Sequence, residues 1–421
     1  MVAGEMKLFS LFNRKVFDIK PGLERIQNAL KETGNPHKRY PSVLISGTNG
    51  KGSTAAFLES LFRKHGFKTG LFTSPHLIEE SERWQINREN MPDLQLEEYI
   101  KQLKPVIQKY NLSYFEASAL IAFRYFADEK VDIAVLEVGL GGRWDATNVV
   151  YPEVSIITNV SLDHTHILGK TTYEIAREKI GIARKDRPLV IGTQQTELIS
   201  QAVINGIKEI YHYPIGFHYR IKNGSMDYFF KELELKNLKP SLSGKRQFSN
   251  CASALTGFLL FCKRNGIEAK MQLITEAVSS TYLPGRMEKI SENPLIIVDG
   301  AHNEEAIIQT IKELKQLYPD KKLITVFSSM KDKNWKRNLS IVCHPSQKVI
   351  VTSIPVSRSI KREDLTDISN VFYAENPNEA LKVAKSLSDS SSLILITGSL
   401  YLVGEVLKIA GRKNGRNTAD R

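Results

Sequence analysis

The stretch ISGTNGKGSTAAFLESLFRKHG, residues 45–66, decides how the chain is read. It places Gly47, Gly50 and Gly52 within six residues, with Lys51 between the last two. The common phosphate-loop spelling is G-x-x-x-x-G-K-[ST]. Here Ile45 stands where that spelling wants its first glycine, and Gly52 separates Lys51 from Ser53. SVLI before Gly47 reads as a buried strand. The residues after the glycines read as a helix, because Ala55, Leu58, Leu61 and Phe62 recur at helical spacing and Gly66 supplies a stop. A strand running through glycines into a helix is a setting in which backbone N–H groups bind phosphate. Lys51 would lie over the β- and γ-phosphates, and Ser53 or Thr54 would reach phosphate oxygen or Mg²⁺. The bland alternative is a glycine-rich turn that binds nothing.

The bulk numbers set limits on the rest. A chain of 421 residues suggests two or three domains and can bury a large core. Hydrophobic residues make up 42% and charged residues 25%, as in ordinary soluble proteins. No apolar run approaches the roughly 18 residues of a membrane span. The first residues lack the pattern of a signal peptide. Cys251, Cys262 and Cys343 form no CxxC pair, which suits a reducing cytoplasm. The net charge of +12 reads either as a basic solvated surface or as a match to an acidic partner. No aromatic-basic interleaving points to nucleic acid. The basic tail GRKNGRNTADR, residues 411–421, reads as a frayed terminus.

Apolar runs alternate with helical patterns, which predicts α/β layers around a mainly parallel sheet. KTGLFT, VDIAVLEV, EVSIITNV and RPLVIG read as strands. FEASALIAFRYFADEK and TTYEIAREKIGIARK read as helices. From about 195 to 245 the pattern shortens and turns aromatic, which predicts a small antiparallel elaboration. A second α/β rhythm starts at Pro294, and Pro284 and Gly285 mark the break. The predicted domains are residues 1–283 and 284–421. Glu137 ends a buried strand that runs into glycines, where a carboxylate suits Mg²⁺. His164 follows Asp163 past another strand end, and Ser74 follows the second strand. On pattern alone each has a structural reading: a paired strand-end carboxylate, a satisfied histidine, a turn or cap serine. Lys179 reads as an ordinary surface lysine.

GTNGKGS resembles the variant phosphate loop of the Mur ligase superfamily. The chain is similar in particular to the folylpolyglutamate synthase/dihydrofolate synthase family. PGLERIQNALKETGNP, GTNGKGST, TSPHL, LEVGLGGRWDATNVV, ITNVSLDHTHILG, EKIGIARK, LPGRME and VDGAHN occur in that family's order, from about residue 20 to 305. The resemblance implies a Mur-type P-loop domain with a parallel central sheet, then a smaller Rossmann-like domain. It implies ATP contacts at Gly50, Lys51, Gly52, Ser53, Asn250, Arg286 and Asp299. It implies Mg²⁺, as two ions, at Ser74, Glu137, His164 and Lys179, the last carbamylated by CO₂. Asp163 would orient the His164 ring, and His302 would meet the incoming amino acid or the reacting phosphate. The chain departs from the family at Arg246, Cys251, Trp144 and the segment after TSPHL, which bears on substrate preference.

The implied activity is an ATP-dependent ligase joining L-glutamate to a folate, and also to dihydropteroate, through an acyl phosphate. Lys51, Lys179 and His302 are its expected catalytic residues. Its partners would be these small molecules, with no nucleic acid and no membrane, in a cytoplasmic monomer. The segment LFNRKVFDIKPGLERIQNALK, residues 11–31, would border the pterin. The rivals are another Mur-type ligase, which would need a nucleotide-sugar module ahead of the loop, and a non-ligase P-loop ATP-binding regulatory protein.

Overall fold

The computed structural model describes residues 7–12, 20–365 and 371–412. Part of the pterin-bordering segment, residues 13–19, and the tail from residue 413 lie outside the described residues. Contacts divide the chain into two compact units. One comprises Met1–His76, Glu80–Ser241 and Arg246–Tyr282; the other comprises Leu77–Glu79, Leu242–Lys245 and Leu283–Arg421.

The first unit is built on strands β1 (Ser42–Ser46), β2 (Thr69–Phe72), β3 (Trp84–Ile86), β4 (Glu89–Asn90), β5 (Ile133–Glu137), β6 (Val154–Ile157), β7 (Leu189–Ile191) and β8 (Ile210–His212). They form one sheet in the order β4-β3-β2-β5-β1-β6-β7-β8. The β2–β3 and β3–β4 pairs are antiparallel, and the other pairs are parallel. β1 is buried at every residue between β5 and β6, which is why its sequence is a continuous apolar run. The chain leaves β1 toward β2 on one side and later passes from β5 to β6 on the other. That reversal marks the carboxyl ends of these strands as the usual ligand place in such sheets.

Helix Lys51–Lys64 follows β1 and is buried from Ser53 through Phe62. It stops where Gly66 takes φ +88° and donates to the Arg63 carbonyl while Phe67 donates to that of Phe62. Phe62 fixes the helix to its neighbours. Its ring lies edge-on to Phe67, Phe258 and Phe261, at 5.5, 5.3 and 5.0 Å between centroids. Glu59, fully buried on the same helix, accepts from Arg63 Nε at 2.9 Å and Thr69 Oγ1 at 2.7 Å.

Two sequence readings change in extent. Helix Thr172–Ile180 begins on a Thr171/Glu174 capping box but ends before IARK. A Cβ on Gly181 would lie 2.6 Å from Arg143 Cα, so this close approach needs glycine and draws the chain out of the helix. Residues 195–245 are not antiparallel throughout. Thr196–Ile204 is a helix that buries Leu198 and Ala202, four residues apart, and β8 joins the main sheet in parallel. Only β9 (His218–Lys222), β10 (Ser225–Phe230) and β11 (Leu233–Leu238) make the small antiparallel sheet.

The second unit holds β12 (Glu288–Glu292), β13 (Leu295–Val298), β14 (Lys322–Phe327), β15 (Ser346–Thr352), β16 (Val371–Ala374) and β17 (Ser392–Thr397), in the order β12-β13-β17-β14-β15-β16. Only the β12 edge is antiparallel. Alternation along β13 sends Leu295 and Ile297 into one core, with Ile307, Leu314 and Leu339 of the helices. Ile296 and Val298 enter the other, with Leu381, Val403 and Val406. Residues 77–79, from the loop after β2, belong to this unit: Leu77 and Ile78 pack on the second of these cores. A Cβ on Gly404 would stand 1.9 Å from the Leu77 carbonyl oxygen.

Phe62→Ala is expected to cost about 3–5 kcal/mol, read as a lower urea midpoint with little change in slope. Leu94→Ala, at a side chain 79% exposed, should stay within about 0.5 kcal/mol. Equal losses from both would refute this assignment of the core.

Candidate active site

The carboxyl ends of β1, β2, β5 and β6 carry most of the residues singled out in the first unit. Gly50 caps helix Lys51–Lys64 at φ +87°, which favours glycine. A Cβ there would lie 2.3 Å from Asn250 Oδ1, so the Asn250 amide fills the space a side chain would need. Asn250 is itself held by donating through Nδ2 to Gln247 Oε1 at 3.0 Å. At Gly47 a Cβ would fall 1.8 Å from Thr158 Oγ1. Thr158 donates through that oxygen to the Asn49 carbonyl at 2.6 Å. Asn49 N donates to Asn159 Oδ1 at 3.0 Å, and Thr48 Oγ1 exchanges bonds with Ser161. The loop is thus a bare backbone cradle laid on the segment that leaves β6.

Lys51 opens the helix and donates through Nζ to the Gly47 and Thr48 carbonyls at 3.0 and 3.3 Å. Gly52 follows it, and Ser53 and Thr54 are buried in the first turn, where Thr54 Oγ1 has no hydrogen-bond partner. Glu137 pairs in register with Ile45 at the last residue of β5. Its Oε2 accepts from the Ser74 amide at 3.2 Å, so the β2 and β5 exits meet. His164 takes a left-handed backbone, φ 50°, and its amide donates to Asp163 Oδ1 at 2.8 Å. Asp163 Oδ1 stands 3.9 Å from His164 Nε2, too long for a hydrogen bond, so this carboxylate fixes the backbone of His164.

Lys179 is 3% exposed, on helix Thr172–Ile180. Its pKa is lowered to about 7, by burial first and then by the nearby Lys51 charge, with Asp163 and Asp145 acting in the opposite direction. The helix end that carries it docks on the loop after β5. Arg143 N donates to the Glu178 carbonyl at 2.9 Å, and a Cβ on Gly142 would meet that same oxygen at 2.7 Å. Asp145 pins this loop by accepting from Leu140 N, Thr147 N and Thr147 Oγ1.

In the second unit Arg286, Asp299 and His302 converge on one loop cluster. Asp299 is 1% exposed and engaged in the fold: Oδ2 accepts from Met287 N at 3.0 Å, and Oδ1 from Ala301 N and Thr310 Oγ1. A Cβ on Gly300 would come within 2.8 Å of Arg286 Nη1, so the guanidinium lies against bare backbone. His302 Nδ1 is 2.9 Å from the Gly300 carbonyl. A carbonyl only accepts, so Nδ1 carries the proton.

A family model described as the Mur ligase middle domain matches residues 45–257, and one described as the Mur ligase glutamate ligase domain matches residues 285–400. The dihydrofolate synthase/folylpolyglutamate synthase of Bacillus subtilis is 32% identical over 418 residues, covering 94% of this chain and 97% of that protein. This chain belongs to the dihydrofolate synthase/folylpolyglutamate synthase family of Mur ligases. Among solved structures, Escherichia coli FolC in complex with DHPP and ADP superposes with a TM-score of 0.89 at 28% identity, covering 96% of each chain. The Yersinia pestis bifunctional folylpolyglutamate synthase/dihydrofolate synthase, complexed with AMPPNP and Mn ion, gives 0.87 at 27% identity, covering 96% of this chain and 97% of that one.

The ligase fold uses residues that sequence reasoning left without a role. Asp145, Thr158 and Asn159 shape the two loops, and Arg184 donates to the carbonyls of Ile182, Asn148 and Val150. The motifs containing Asp145 and Asn159 were visible, but nothing in their spelling says which side chain ties which backbone.

The Lys179 ammonium makes a testable demand on this ligase. Its folded pKa lies below the ordinary value of 10.5, so between pH 7 and 10.5 the unfolded chain binds more protons. Stability therefore rises with pH across that window. In CO₂-free buffer the native enzyme should gain on Lys179→Met by up to about 1.4 kcal/mol per pH unit. A gap independent of pH would refute it.

Proposed function

We propose that this ligase joins L-glutamate to a carboxylate of a folate, and to dihydropteroate, at the expense of ATP. The observation that carries the proposal is the glycine cradle closed by Asn250, with Lys51 at the first helical position. A backbone without side chains there admits phosphate oxygens to its amides. Lys51 already spans two loop carbonyls and would turn to the β- and γ-phosphates. Asp299 would act by holding the turn that presents Arg286, a permanent cation suited to phosphate.

Ser74, Glu137 and His164 would hold a divalent ion, which supplies charge neutralisation on the phosphate oxygens. The donors fit Mg²⁺. Among the described residues no group of three or more His, Cys, Asp and Glu side chains gathers to hold a metal. Mg²⁺ typically uses one or two carboxylates and completes its shell with water and phosphate. We place a second ion beside Lys179 after its amine has taken up CO₂. Burial supports this, because carbamate formation needs a neutral amine and this lysine is neutral far more often than a solvated one.

The substrate carboxylate attacks the γ-phosphorus, the bond to ADP breaks, and an acyl phosphate forms. Phosphorylation replaces oxide, a poor leaving group, with phosphate. The amine of glutamate attacks the carbonyl carbon, gives up a proton, and phosphate departs as the amide forms. His302, with its proton on Nδ1, presents a basic Nε2 for that proton. Positioning and charge neutralisation supply most of the acceleration in such transfers. We place the enzyme in the cytoplasm as a monomer. The three cysteines are unpaired, and no helix among the described residues is long and apolar enough to cross a membrane.

Phosphate release should require glutamate together with dihydropteroate or tetrahydrofolate, and mass spectrometry should find the glutamylated product. Release dependent on neither acceptor would overturn the reading. Lys51→Ala should reduce kcat by at least about 100-fold with an unchanged melting temperature. Glu137→Gln should raise the Mg²⁺ needed for half-maximal rate; an unchanged Mg²⁺ dependence would make Glu137 structural.

A further inference from the structure

Arg286 stands on an unusual turn. Gly285 takes φ +72° and Met287 takes φ +48°. The second value is costly for a side chain as long as methionine, so the surroundings must enforce it. Two carboxylates do so from opposite sides of Arg286. Glu288 Oε2 accepts from the Gly285 amide at 2.7 Å, and Asp299 Oδ2 from the Met287 amide at 3.0 Å. The Gly300 amide donates to the Gly285 carbonyl at 2.9 Å. The backbone on either side of Arg286 is thereby fixed, and its guanidinium passes over Gly300.

The Glu288 side chain is only 10% exposed. A carboxylate so placed needs compensating charge, or its desolvation cost falls on the turn it holds. Arg412 supplies that charge, donating through Nη1 to Glu288 Oε1. Arg412 lies just past helix Leu400–Ile409, with its amide bonded to the Leu407 carbonyl. The cation therefore comes from the far end of the chain and is itself held at the helix terminus.

We propose that Arg412 is a positioning residue for the ligase reaction: through Glu288 it holds the Gly285–Met287 turn in the conformation that presents Arg286. This rests on the reading of Arg286 as a nucleotide contact. Arg412 does not touch substrate, and its loss acts by loosening the turn.

The test is ATP-dependent kinetics of the full-length enzyme, with binding of a non-hydrolysable ATP analogue measured by calorimetry. Arg412→Met should raise KM for ATP and the analogue Kd roughly tenfold or more, leaving KM for glutamate near its original value, and should lower the melting temperature because the Glu288 carboxylate loses its buried partner. Arg412→Lys, which keeps the cation, should recover most of the affinity. Glu288→Gln should reproduce the Arg412→Met defect, and the double variant should be no worse than either single one. If Arg412→Met does not fold, Arg412→Lys and Glu288→Gln carry the test. An unchanged analogue Kd in Glu288→Gln or Arg412→Met, while Arg286→Ala loses affinity, overturns the positioning role. If Arg286→Ala itself binds the analogue normally, the nucleotide reading of Arg286 fails instead.

Discussion

The first unit's site depends on two places where a side chain is forbidden. At Gly47 and Gly50 the oxygen of another residue, Thr158 Oγ1 or Asn250 Oδ1, already occupies the volume of a β-carbon. These approaches bring together the exit of β1, the exit of β6 and the helix that carries Asn250. Everything chemical follows from that convergence. The amides of Thr48 and Asn49 are spent on Asn159, which anchors the loop to the segment after β6. Lys51 enters the helix at a fixed height, and Glu137, one strand away in register with Ile45, stands level with the start of the loop.

A second constraint is electrostatic. The fold puts the Lys179 amine in a dry place near another cation, Lys51, with Asp163 and Asp145 as the nearby anions. Such an arrangement is poor for stability on its own terms. Buried groups with strongly shifted pKa values concentrate where chemistry needs them. The same helix end is clamped by backbone contacts at Glu178 and Gly181, so the lysine has little room to escape toward solvent.

Much of this was legible in the sequence, and the illegible parts share a cause. Continuous apolar runs identified β1, β5 and β6 because strands buried on both faces need no alternation. The glycine spacing located the cradle, and strand-end position picked out Glu137. Local pattern could not show the burial of Lys179, because a lysine near the end of an amphipathic helix looks the same whether its tip meets water or another loop. The early end of helix Thr172–Ile180 was hidden for the same reason: Gly181 yields to Arg143, distant in sequence. Residues 196–212 misled by their aromatic neighbours, although Leu198 and Ala202 carry a helical spacing. The proposed carbamate at Lys179 and the proposed metal-binding set as a whole rest on family resemblance; periodicity is silent on them. Arg412 had no signal at all, standing at the edge of a basic tail.

The loop residues 77–79 give the second unit a debt to the early part of the chain. Its core is completed by Leu77 and Ile78, and Gly404 is bare where the Leu77 carbonyl rests. A genetic exchange that joined a foreign C-terminal half at residue 283 would bring a helix shaped for one peptide and present it with another. Modules of this ligase are therefore not freely interchangeable at the linker. The short loop after β2 and the last helix must be inherited as a matched pair, though more than three hundred residues separate them.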